Sequence, residues 1–131
     1  MKLILFAPFI LCFAFGSAKA QKVSADSSLI GVWKGTSICQ VKNSPCHDEV
    51  VVYYIAKVPG IDSFSISANK IVNGLEEEMG TISCKFDKKN NELSSTSHNG
   101  FWTFILKDKQ LNGTLIFKGD LYRIIKVTKQ P

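Results

Sequence analysis

The stretch "SPCHDEVVVYY", Ser44 to Tyr54, places a cysteine, a histidine and two carboxylates beside one another just ahead of a run of β-formers. Cysteine, histidine and carboxylates together are the ligand set of a zinc site, which needs three or four such groups converging on one point. Along an extended chain, however, successive side chains point to opposite faces, so His47, Asp48 and Glu49 cannot converge by themselves. The other histidine, His98, precedes an Asn-Gly pair in a late turn. Catalytic patterns are also missing: no nucleophile elbow and no base–nucleophile pair in context occurs. Asp48, Glu49 and Glu76 to Glu78 could supply paired carboxylates, but the last three read most simply as a solvated acidic loop. The expectation is a non-enzyme with no metal and no cofactor, in which His47 and Asp48 lie at the rim of a loop.

The segment that positions these residues begins after an export signal. "MKLILFAPFILCFAFGSAKA" has an early lysine, a continuous apolar stretch and small residues at Ala18 and Ala20, the pattern of a cleaved secretory signal over residues 1–20. The apolar run is shorter than the roughly 18 residues of a membrane span. Its removal takes away Cys12 and two lysines, leaving 111 residues, a net charge of +3, and Cys39, Cys46 and Cys84. That length suits one small domain, and that scattered charge gives no reason to expect nucleic acid. Export to a secreted or periplasmic location makes a disulfide expected. Cys39 and Cys46 flank one loop and are the natural pair, with Cys84 left as a free, inward thiol.

Helical periodicity is nearly absent from the mature chain. Short alternating runs separated by Gly, Asn, Asp and Lys recur instead, the spacing of an all-β sandwich or barrel. In "DSFSISANK", Phe64, Ile66 and Ala68 alternate with serines, and "TISCKFDK" puts Ile82, Cys84 and Phe86 on one face. Eight strands are expected: Leu29–Val41, Glu49–Val58, Ser63–Ile71, Glu78–Asp87, Glu92–Ser97, Phe101–Lys107, Gln110–Phe117 and Leu121–Lys129. They follow a flexible leader over residues 21–28 and make one domain over 29–129. Short links such as "NG", "HNG" and "KGD" favour sequential antiparallel pairing, and eight such strands can close into an up-and-down barrel without exposed edges. Counting from the strand ends puts Trp33 and Arg123 at similar heights. An inward Arg123 is then best satisfied by stacking on the Trp33 indole.

"GVW" (Gly31-Val32-Trp33) in the first strand with Arg123 in the last resembles the signature of the lipocalin or calycin superfamily, where a tryptophan packs against an arginine at the closed end of an eight-stranded barrel. "LIGVWKG", "DKQLNGTL" and "LYRIIKV" are also similar to uncharacterised secreted bacterial calycin-like proteins. The resemblance covers nearly all of the mature chain. It lacks the helix after the barrel and the threonine-aspartate-tyrosine motif of many lipocalins. It implies a barrel that binds a small hydrophobic molecule at its open end. Tyr54, Phe64, Trp102 and Phe104 are the candidate lining, and Trp33 and Arg123 are structural. The alternative is a protein-binding barrel, such as a secreted protease inhibitor using the tail "QKVSADSS". A cavity larger than one side chain favours the first, a filled barrel the second.

Overall fold

A computed structural model describes residues 16–17 and 25–131. Apart from residues 16 and 17, the expected signal segment lies outside the described residues, as does the leader up to residue 24. A short helix, α1 (Ala25–Leu29), precedes eight strands: β1 (Gly31–Cys39), β2 (Glu49–Lys57), β3 (Ser63–Val72), β4 (Leu75–Asp87), β5 (Glu92–Ser97), β6 (Gly100–Lys107), β7 (Gln110–Phe117) and β8 (Asp120–Lys129). Each pairs antiparallel with the next and β8 pairs with β1, so the sheet closes into an up-and-down barrel.

Most boundaries agree with the alternation in the sequence, and the departures have local causes. The first strand starts at Gly31 and not Leu29, because Ala25–Leu29 closes a helical turn with Ile30 N donating to Asp26 O at 3.0 Å. β4 starts at Leu75, so Glu76 to Glu78 lie on a strand and not in a loop. Asn73 and Gly74, at φ 52° and 79°, make the two-residue hairpin turn whose twist matches the flanking strands. His98 and Asn99, at φ 50° and 62°, build a second such turn between β5 and β6.

One end of the barrel is packed solid. Leu29, Trp33, Phe64, Leu93 and Leu111 are wholly buried there, with Val127 beside them. The α1 helix lies across this end, and the Trp33 indole Nε1 donates to Leu29 O at 2.8 Å. Lys57 holds the helix from one side through Asp26, at 3.1 Å. Lys129 holds it from the other, its ammonium donating to Ser27 O at 2.9 Å and Ser28 O at 3.1 Å while standing 5.9 Å from the Trp33 ring centroid.

Here the structure corrects the expected pairing of Trp33 with Arg123. β1 and β8 are in a register that sets Trp33 opposite Lys129 and Cys39 opposite Arg123. Six residues at about 3.3 Å each put Arg123 roughly 20 Å from the Trp33 level, at the other end of the barrel. The cation over Trp33 is therefore Lys129. Counting from the strand ends failed because α1 takes Leu29 out of the first strand, and because Val127 lies level with Gly35 and not with the start of β1.

Candidate functional site

The upper half of the barrel is hollow. Inward positions that carry Trp or Phe below carry Ser37, Ala68 and Gly80 above, and a cavity of about 210 Å³ remains among them. Its walls are Ile66, Ala68, Ile82, Trp102, Phe104, Leu115 and Ile125, and its polar groups are Ser37, Glu49, Tyr53, Thr81, His98 and Arg123. Gly113 lets the Phe104 ring lie flat against β7, where a Cβ would collide with it. The other face of Phe104's environment is Tyr53, edge to face at 6.1 Å.

The opening follows from an interrupted ladder. β4 and β5 pair only from Lys85 to Asp87 against Glu92 to Ser94, so the wall between them is parted above that level. Gly80, Thr81 and Ile82 border the gap on one side and His98 on the other, with Met79 41% exposed at the lip.

Arg123 enters the cavity from β8, and its bonds run through one nitrogen. Nη1 donates to Ser37 O at 3.3 Å, Ser37 Oγ at 3.2 Å and His47 O at 3.0 Å, and lies 3.5 Å from Glu49 Oε2. Both partners of this ion pair are mostly buried, with side chains 14% and 19% exposed. The His47 carbonyl is presented by the loop that the Cys39–Cys46 disulfide closes. Asp48 Oδ1 pins the same loop by accepting from Cys39 N at 2.9 Å. "SPCHDE" is thus a clamped corner: His47 and Asp48 are exposed at the rim, while Glu49 turns inward as the counter-charge of Arg123.

Tyr53 is a buried polar residue of the wall. It is only 6% exposed, and its hydroxyl has no hydrogen-bond partner among the described residues. Burial raises its pKa well above the usual phenol range; nearby Glu49 adds to the rise and Arg123 opposes it. The phenol keeps its proton and remains a donor.

Of the four residues expected to line the pocket, Trp102 and Phe104 do so. Tyr54 does not: it faces outward, 39% exposed, and its hydroxyl donates to Glu76 Oε1 at 2.7 Å. Phe64 points inward, but it belongs to the packed end. Sequence reasoning missed Glu49, Tyr53 and Ser37. β2 reads "EVVVYYIA", apolar on both faces, so alternation cannot choose between Tyr53 and Tyr54. Pairing across β1 decides it, because Trp33 opposite Tyr53 puts both on the inner face.

No protein-family model matches the chain, and no curated protein matches it. Among the described residues there is no group of three or more His, Cys, Asp or Glu arranged to hold a metal ion. Nor is any described helix long and apolar enough to cross a membrane. Cys84, the free cysteine among the described residues, is buried at the foot of the β4–β5 seam; burial pushes its thiol up to about 12, with a Ser95 hydrogen bond pulling the other way.

Proposed function

We propose that this protein is a secreted or periplasmic, calycin-like barrel that binds one small, mainly apolar molecule in its upper cavity and performs no catalysis. The cavity itself carries the reading. A barrel of eight strands is just wide enough to be filled by its side chains, and the lower half is filled in that way. In the upper half small residues stand at inward positions, and about 210 Å³ is left beneath an opening. That space exceeds a typical side chain, the criterion that favours a ligand over a purely protein-binding barrel. It is larger than a ~150 Å³ apolar cavity able to hold benzene, yet below the ~300–1,000 Å³ of common drug-sized pockets. The cargo is therefore the size of one ring or a short chain. The closed eight-stranded barrel supports the calycin resemblance, although Lys129 and not Arg123 stands over Trp33, and the disulfide fits an exported protein.

The test is an NMR titration of the isotope-labelled mature protein with single-ring and short-chain compounds. Shifts should concentrate at Ala68, Ile82, Trp102 and Leu115. Ala68→Phe, which fills the cavity, should abolish them with the fold intact. Failure of every such compound to bind would refute the proposal.

A further inference from the structure

Resting on that ligand-binding reading, we propose that the occupant is neutral and amphipathic: an apolar body of one ring's size with a hydroxyl or carbonyl oxygen that takes hydrogen bonds from Tyr53 and Arg123. Three observations converge on this chemistry. Tyr53 is 6% exposed and lines the cavity, its hydroxyl has no hydrogen-bond partner among the described residues, and a donor shielded from bulk water gains from an acceptor placed in that cavity. Arg123 makes its hydrogen bonds through Nη1 alone, with its guanidinium 5.7 Å from the Tyr122 ring centroid, so Nε and Nη2 have no hydrogen-bond partner among the described residues. Apolar side chains make up most of the wall around these donors, so the rest of the ligand must be apolar.

The sign of the ligand's charge follows from Glu49. An arginine alone in a greasy cavity would receive a carboxylate, but here Glu49 already balances Arg123 at 3.5 Å. An incoming carboxylate would leave one uncompensated negative charge in a poorly solvated space, a heavy desolvation cost. A neutral oxygen accepts the same hydrogen bonds without that cost. The protonated phenol of Tyr53 also suits an acceptor and gives an anion no positive charge.

The experiment compares three ligands with the same seven-carbon skeleton, benzyl alcohol, benzoate and toluene, by NMR titration against the wild type, Tyr53→Phe and Glu49→Gln. Benzyl alcohol should bind the wild type most tightly. Tyr53→Phe should weaken it about threefold to tenfold, the worth of one neutral hydrogen bond, and leave toluene within about twofold. Glu49→Gln, which removes the balancing charge, should shift the preference toward benzoate. Tightest binding of benzoate to the wild type would overturn the neutrality argument. Toluene equal to benzyl alcohol, with Tyr53→Phe silent, would overturn the role of the polar head while the ligand-binding reading stands. Binding of none of the three would overturn both.

Discussion

Lys129→Met tests how the packed end of the barrel is held. The substitution keeps most of the side chain's apolar stem and removes the ammonium. Two hydrogen bonds to backbone carbonyls of α1 are lost, at 2.9 and 3.1 Å, together with the approach to the Trp33 ring at 5.9 Å. Hydrogen bonds from a charged donor contribute about 1.5–3 kcal/mol each when protected, and an exposed cation–π contact about 0.5–1 kcal/mol. Lys129 is half-buried and water can reach the carbonyls it leaves, so the net loss should be well below the sum, about 2 kcal/mol. For a domain of this size that lowers the melting temperature by roughly 6–12 °C. Urea unfolding followed by tryptophan emission measures it, with Lys126→Met as control. Lys126 lies on the same strand but is exposed, and should change stability by no more than about 0.5 kcal/mol. Equal stabilities of the two variants would refute the clasp. Arg123→Met should leave the Trp33 environment unaltered, since roughly 20 Å of strand separates them.

Three further outcomes are expected. Because burial raises the Cys84 thiol to about 12, its folded form is favoured below the unfolded thiol's pKa and disfavoured as pH rises toward 12. At pH 8 a disulfide-exchange reagent should therefore label Cys84 in urea but not in the native protein, and fast native labelling would contradict its burial. Glu49→Ala leaves Arg123 charged, mostly buried and without its counter-ion, and should cost about 1–3 kcal/mol in urea unfolding, short of the ~3–5 kcal/mol of a fully buried pair. The double change His47→Ala, Asp48→Ala removes only rim groups and one turn hydrogen bond, and should cost about 1 kcal/mol or less. If the double variant is the less stable of the two, the corner works through its rim and not through the ion pair.

The barrel itself was legible in the sequence because alternation and turn chemistry are local signals. Serines alternating with Phe64, Ile66 and Ala68, and the "NG", "HNG" and "KGD" turns, mark strands, faces and antiparallel order without any knowledge of distant contacts. The Cys39–Cys46 disulfide was legible for the same reason, since both cysteines flank one loop. Relative height was not. Sliding β1 against β8 by an even number of residues keeps every side chain on its own face, so parity alone could not distinguish Arg123 from Lys129 as the partner of Trp33. The α1 helix, too short to show a periodicity, shifted the count. Likewise the nine residues between β1 and β2 allow either tyrosine to face inward, and only the ladder to Trp33 selects Tyr53. Strands, and the faces of those that alternate, thus belong to the sequence. The ion pair, the unpartnered phenol and the hollow above the packed floor arise only when register brings Glu49, Tyr53 and Arg123 to one level.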